Sequence, residues 1–303
     1  MDRTCIVILN YKNYTDTIQC VESFQKLYPA SETYEIVIVD NDSKNESVDN
    51  LKSKLENVTL IESTENRGYA AGNNIGLAYA KDKNFDYICI LNNDTIILED
   101  FLTPCINKLK EDDSIGIVGP VLLEYDKDDC VQSTGGDIFI SKGIVTLKNH
   151  HKKRHEIDEV VDCDYVGGAC MVFRTSLLEL IGFIPENYFL FFEETEWCYS
   201  TKVHGLRNIC LKNAAIKHKG SVSIKAIGGL QNYLMNRNRV IFVKRNIHSN
   251  LRYFIFLIYL FSRESFRLVF HIEKDSSRLT HFVDGVLDRF DVVRFPFLDN
   301  NKK

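Results

Sequence analysis

Four stretches of this chain carry residue types that could do chemistry. Ile88–Asp94 (ICILNND) runs an apolar strand straight into two asparagines and a lone carboxylate. Residues just past the end of a buried parallel strand sit at the lip of the sheet, where open α/β folds bind ligands. One Asp with two Asn neighbours suits a hard, oxygen-preferring cation that keeps positions open for water or phosphate, although Asn-Asn-Asp is also ordinary turn chemistry. Phe191–Cys198 (FFEETEWC) groups Glu193, Glu194 and Glu196 behind aromatics. Carboxylates in the first turn of a helix are stabilised by its dipole. The sharper reading is that the apolar wall desolvates one of them and raises its pKa towards the range of a general base. In Ile216–Ser223 (IKHKGSVS), His218 stands at the end of a strand; as a metal ligand it would need a carboxylate partner, and Asp94 is the obvious one. Thr64–Gly76 (TENRGYAAGNNIG) joins a strand to a helix with glycines at 68, 72 and 76. It is neither G-x-G-x-x-G nor a P-loop, and Gly72 and Gly76 at helical spacing would let a helix pack closely.

The elements that must hold these residues follow from hydrophobic spacing. Thr4–Asn10 and Glu35–Asp40 are continuous apolar runs, as expected of strands covered on both faces. Val58–Glu62, Tyr87–Leu91 and Ile115–Gly119 complete a strand set, and Asp16–Leu27, Ser47–Leu55, Ala70–Ala80 and Asp100–Lys110 carry helical periodicity between them. Strict alternation implies right-handed crossovers and a mainly parallel sheet. The first two strands end in Asn10-Tyr11 and Asp40-Asn41-Asp42-Ser43, so polar groups at successive carboxyl ends converge on one crevice with Asn92–Asp94. After Pro120, residues 121–147 read as short antiparallel strands with a turn at Gly135-Gly136, and His150–Glu159 as an exposed loop. From Leu230 the chain reads as helices. Asn232–Arg245 looks basic and amphipathic, and Leu251–Phe270 is dense in aromatics.

Bulk properties exclude several classes. A net charge of −5 lacks the basic balance of sequence-independent nucleic-acid binding, so no nucleic-acid partner is expected. The 9 cysteines are scattered without a C-x-x-C pair, which indicates neither a disulfide framework nor a zinc site and fits a reducing compartment. The N-terminal apolar run is too short for a secretory signal, and no window reaches the span of a transmembrane helix. The expected location is the cytoplasm, with peripheral contact at the inner face of the cell membrane as a further expectation.

Together these stretches resemble the family 2 glycosyltransferases with a GT-A fold, in particular the rhamnosyltransferase-like branch, over about residues 3–247. The pattern is ILNY, IVDNDS, NRGYAAGNNIG, LNND, GGACMVFR, FLFFEETEWC, a His before Gly-Ser, and YLMNRNR, in fixed order. The resemblance implies an α/β GT-A (Rossmann-like) architecture: a mainly parallel sheet flanked by helices, a small antiparallel acceptor-side part and a helical C-terminal extension. The catalytic domain would span 1–225, with a nucleotide-binding half to 120 and an acceptor-binding half from 121, and the extension 226–303. Asp40 would contact the pyrimidine of a dTDP- or UDP-sugar with Asn10 and Tyr11 nearby, and Asn66, Gly68 and Asn73 would shape the nucleotide pocket. Asn92, Asn93 and Asp94 occupy the family's Asp-X-Asp position, so that Asp94, with His218, would hold Mn2+ or Mg2+. Glu194 matches the catalytic base.

The implied reaction moves rhamnose or a hexose, with inversion, to a glycan or polyprenyl-linked acceptor in bacterial surface polysaccharide synthesis. The aromatic C-terminal helix has two readings: packing on the catalytic domain or in a homodimer interface, or an interfacial membrane anchor. A non-catalytic nucleotide- or glycan-binding module on the same scaffold is the rival reading, against which the joint presence of Asp94, Glu194 and His218 counts. A nicotinamide-dependent oxidoreductase is disfavoured because Asn10-Tyr11-Lys12-Asn13 stands where its glycine fingerprint would be.

Overall fold

The computed structural model describes residues 2–29, 32–220, 230–269 and 278–289. The Ser221–Ser223 end of the His218 motif, the boundary expected at 225/226 and Phe270 lie outside the described residues. Contacts divide the chain into one unit of residues 1–137 and 145–220, and a second of residues 138–144 and 221–303.

The first unit is built around strands β1 (Thr4–Asn10), β2 (Tyr34–Asp40), β3 (Val58–Glu62) and β4 (Tyr87–Asn92), with helices α1 (Tyr14–Leu27), α2 (Ser47–Lys54) and α3 (Tyr69–Asp82) as crossovers. The pairings β3–β2, β2–β1 and β1–β4 are all parallel. The pleat sends alternate residues to opposite faces. Ile6, Ile8, Ile36 and Ile38 therefore share one core layer with Phe24 of α1 and Leu51 of α2. Cys5, Val7, Val37 and Val39 share the other with Ala70 and Leu77 of α3. The expected close packing is present on that side: a Cβ on Gly72 would lie 2.4 Å from Leu9 Cδ1, and one on Gly76 2.3 Å from Val7 Cγ1.

Beyond β4 the sheet becomes mixed. A short β5 (Thr95–Ile97) and helix α4 (Leu102–Glu111) lead to β6 (Ile115–Glu124); β7 (Val131–Ser133), β8 (Gly136–Phe139), β9 (Ile144–Leu147), β10 (Val160–Cys163), β11 (Cys170–Arg174), α5 (Leu177–Ile181), α6 (Glu193–Val203) and β12 (Arg207–His218) follow. The strand order is β10-β12-β6-β11-β4-β1-β2-β3, with β5 on β12 and β7 on β6, while β8 and β9 form a separate pair. This is an α/β GT-A architecture with a mainly parallel central sheet.

Three local expectations change. β6 continues through Pro120 to Glu124 instead of stopping at Gly119, because the neighbouring β12 is bulged between Leu211 and Ala215 where the proline, lacking an N–H, could not complete a regular ladder. Gly135 (φ +85°) does not turn a hairpin: it redirects the chain from β7, which pairs with β6, into β8, which pairs with β9. The stretch 150–159 is exposed but pinned. Arg154 donates to both oxygens of Glu99 at 2.5 and 2.9 Å and to the Lys212 carbonyl at 2.7 Å.

The second unit contains α7 (Leu230–Asn246), α8 (Asn250–Val269) and α9 (Arg278–Val286). α7 is not the one-faced amphipath its sequence suggests, since Asn236, Arg237 and Asn238 are buried along with Tyr233, Leu234 and Val240–Val243. Arg237 is satisfied internally by the Arg289 carbonyl at 2.5 Å and Asn238 Oδ1 at 2.7 Å. α8 buries Phe256 and Leu260, one turn apart, and leaves Leu251, Phe254, Ile255, Ile258 and Phe261 each more than half exposed.

Candidate active site

The end of β4 and the end of β12 are tied together by backbone. Thr95 pairs with His218 across β5 and β12, and the Lys219 N–H donates to the Asp94 carbonyl at 2.9 Å. This brings His218 Nε2 to 3.2 Å from Asp94 Oδ1, both side chains being mostly buried. On its far side His218 Nδ1 lies 2.7 Å from Gln132 Oε1; in the tautomer with the proton on Nδ1, donated to that oxygen, the Nε2 lone pair faces the carboxylate. Asp94 Oδ1 has no hydrogen-bond donor among the described residues. Two electron-rich atoms facing each other, one an orphaned buried oxygen, fit a cation. Ligands bound at about 2.1 Å on adjacent corners of an octahedron stand roughly 3 Å apart. The Asp94–His218 pair therefore suits Mn2+ or Mg2+.

Glu194 sits in the first turn of α6, after a strained approach in which Phe189, Phe191 and Phe192 hold φ of 70°, 70° and 78°. Its carboxylate rests on Gly168, where a Cβ would come within 3.0 Å of Glu194 Cγ and 3.2 Å of Oε1. The Tyr165 hydroxyl donates to Oε1 at 3.2 Å, whereas Oε2 is shielded from solvent without a partner among the described residues. Burial raises the Glu194 pKa, and the Tyr165 hydrogen bond only partly offsets this.

Gly168 also links this carboxylate to the Asp94 turn. The Tyr69 hydroxyl donates to the Gly168 carbonyl at 2.9 Å, and the neighbouring Ala169 carbonyl accepts from the Asn92 N–H at 2.9 Å. Burial raises the Tyr69 pKa well above its ordinary value, and the charge of Glu194 adds to it.

The residues expected around a nucleotide form a connected polar network. Asp40, buried, accepts from Asn10 Nδ2 at 2.6 Å, Ser43 Oγ at 2.6 Å and the Ser43 N–H at 2.9 Å. Asn10 is fully buried and accepts from Thr17 Oγ1 at 2.7 Å, and Thr17 Oγ1 in turn receives Asn93 Nδ2 at 3.0 Å. Asp40 and Asn10 thus spend their hydrogen bonds on each other and on Ser43, while the half-buried Tyr11 is the member of that group nearer solvent. Asn66 Oδ1 receives Asn41 Nδ2 at 3.0 Å and the Gly68 N–H at 2.9 Å. Gly68 (φ +97°) caps α3 where the Phe189 carbonyl would lie 2.1 Å from any Cβ. Asn73 donates to the Tyr69 carbonyl at 3.0 Å, and its buried Oδ1 has no donor among the described residues. Asn92 lies at the strand end, its carbonyl receiving Thr95 Oγ1 at 2.7 Å.

Sequence reasoning missed Gln132, Tyr165, Tyr69 and Thr17, whose roles are through-space. It also missed Lys219, a cation beside the Asp94 turn held by Asp16 at 2.5 Å and Gln19 at 2.6 Å. Its adjacency to His218 was the available signal. A separate cleft of about 350 Å³, lined by Asp129, Arg154, His155, Glu159, Lys212 and Asn213, offers no comparable chemistry, because Lys212 pairs with Glu159 and Arg154 with Glu99.

The family model of glycosyl transferase family 2 matches residues 5–181, more than half of the chain, and the chain belongs to that family. It is 28% identical over 245 residues to the low-salt glycan biosynthesis hexosyltransferase Agl10 of Haloferax volcanii, covering 79% of this chain and 75% of that protein. It is 24% identical over 230 residues to the dTDP-rhamnosyl transferase RfbF of Shigella flexneri, covering 70% and 71%. Among solved structures, GalNAc-T7 with UDP, GalNAc and Mn2+ superposes with a TM-score of 0.59 at 15% identity over 80% of this chain; the match spans about half (48%) of that protein and is a likeness of fold.

Proposed function

We propose that this chain is an inverting, metal-dependent glycosyltransferase that moves rhamnose or a hexose from a dTDP- or UDP-sugar to a glycan or polyprenyl-linked acceptor. A role in surface polysaccharide synthesis follows from that acceptor class. Residues 1–225 would be the catalytic domain, divided near 120 into donor and acceptor halves. The single observation that carries the reading is the Asp94 Oδ1–His218 Nε2 pair at 3.2 Å, whose buried carboxylate oxygen, like Glu194 Oε2, lacks a hydrogen-bond donor among the described residues. A binding-only module would gain no benefit from a desolvated carboxylate. The names of the relatives, a hexosyltransferase and a dTDP-rhamnosyl transferase, support the donor class.

In this reading the acceptor hydroxyl attacks the anomeric carbon and gives its proton to Glu194 Oε2. Oε1 is occupied by the Tyr165 hydroxyl, which stays protonated because burial, and then the Glu194 charge, push its pKa well up. The bond from the anomeric carbon to the diphosphate breaks, and its electron pair leaves with the diphosphate. Asp94 and His218 would hold the divalent cation, which when bound neutralises charge on that leaving group. Attack on the face opposite the leaving group gives inversion without a covalent intermediate.

A thermal-shift panel of dTDP-rhamnose and UDP-hexoses, with and without Mn2+, tests this, because a ligand that binds only the folded state stabilises it, by about 2.7 kcal/mol at a hundredfold excess over Kd. One donor should raise Tm in a metal-dependent way. A panel in which no nucleotide sugar does so would falsify the assignment.

A further inference from the structure

Glu124, His150 and His151 bring a carboxylate oxygen and two imidazole nitrogens within 4.8 Å of one another, at a place the donor reading does not use. Consecutive residues of an extended chain point to opposite sides. Here Asn149 and His151 adopt left-handed φ of 55° and 67°, and the two imidazoles instead face each other with ring centroids 3.6 Å apart. The turn is held on the edge of β7. His151 N–H donates to the Val131 carbonyl at 2.8 Å, Val131 N–H to the Lys152 carbonyl at 2.8 Å, and Asn149 Nδ2 to Thr134 Oγ1 at 2.9 Å. Glu124, the last residue of β6, is fixed by its N–H on the Cys130 carbonyl at 2.8 Å.

The proton placement suits ligation. His150 Nδ1 lies 2.7 Å from the Gln132 carbonyl oxygen, which can only accept, so the proton is on Nδ1 and Nε2 keeps its lone pair. An imidazole whose second nitrogen donates to a backbone carbonyl is the usual arrangement of a metal-bound histidine. Two imidazoles and one carboxylate favour borderline first-row cations over Mg2+ or Ca2+, and leave further positions to solvent. Ligand atoms around an ion at about 2.1 Å stand roughly 3–3.5 Å apart, so exposed side chains need close by only about an ångström. Gln132 ties this cluster to the donor-side pair: its carbonyl takes His150 and its side-chain oxygen takes His218.

We propose that Glu124, His150 and His151 form a second cation site, for a Zn2+- or Co2+-like ion, which orders the 149–152 turn and buttresses His218 through Gln132. The test is Co2+ binding to the untagged full chain after chelator treatment, read by absorbance and by metal content after desalting. In an Asp94→Asn background, which breaks the donor-side pair, one equivalent of Co2+ should remain. Adding His150→Ala and His151→Ala should then weaken it by more than about a hundredfold, since loss of an outer-shell partner alone costs about 10–100-fold. Circular dichroism checks that each variant is folded. Retention of no Co2+ in the Asp94→Asn protein, or unchanged affinity once both histidines are gone, overturns the proposal.

Discussion

Replacing Glu194 with Gln keeps the side chain's size and its Tyr165 contact but removes the oxygen that would take the acceptor's proton. General-base assistance supplies about two to four powers of ten, so kcat should fall by that factor, equivalent to roughly 3–5.5 kcal/mol in the barrier. Donor binding should survive, because the nucleotide-side network of Asn10, Asp40 and Ser43 is bonded within itself. Stability separates lost chemistry from lost fold. Burial raises the Glu194 pKa above its unfolded value, so the native state holds the proton more tightly than the unfolded one. The stability from that linkage is fully present below the unfolded pKa, about 4.3 for a Glu, and is lost as pH rises through the raised native value. At pH 7–8 the Gln variant should therefore melt no lower than the wild type. The assay is steady-state transfer with the donor found by thermal shift, across pH. Wild-type kcat/KM should climb with pH as Glu194 loses its proton, with a midpoint above the ordinary carboxylate range, and the variant should lack that limb. Near-normal turnover, or an unchanged acid limb, would remove Glu194 from the base role.

Asp94→Asn should abolish the Mn2+-dependent part of donor stabilisation and depress transfer, and wild-type activity that persists undiminished in EDTA contradicts the metal assignment. Gly68→Ala sets a Cβ 2.1 Å from the Phe189 carbonyl at φ +97°. Strain of this kind costs about 1–3 kcal/mol, so calorimetry should show Tm lower by several degrees, and an unchanged Tm refutes the contact between α3 and the aromatic loop. With at least six large apolar side chains of α8 more than half exposed, Phe266 among them, the chain should float with anionic liposomes, and Phe254→Ser with Ile258→Ser should reduce this. Wild-type protein that stays at the bottom of the gradient rules out the anchor.

The first 120 residues were legible because their signals are local. Apolar runs of strand length, such as TCIVILN and EIVIVD, separated by helical spacing, leave little choice but a parallel sheet. Gly72 and Gly76 could be read because i, i+4 glycines on a buried helix face mean close approach, and Leu9 and Val7 are what approaches. The rest resisted because its structure depends on partners far away in the chain. Pro120 reads as a strand terminator until a bulge in β12 excuses its missing N–H. α7 reads as amphipathic because the charge of Arg237 is visible in sequence, whereas the Arg289 carbonyl and Asn238 Oδ1 that satisfy it are not.

The candidate site shows the same division: the resemblance singles out Glu194 as the base, and only the structure shows how differently it and its neighbour Glu193 are buried. Glu193 and Glu194 both open α6, and burial raises the pKa of each. Glu193 is 1% exposed, so a sugar hydroxyl could not reach it. Its pKa is pushed well up first by burial and then by the charge of Glu194. Glu194 differs in being only half-buried over Gly168, with Oε1 on the Tyr165 hydroxyl and Oε2 shielded but unpartnered among the described residues. On the proposed reading Glu193 stays sealed from the chemistry, and an acceptor must enter the pocket over Gly168 to bring its hydroxyl to Glu194 Oε2.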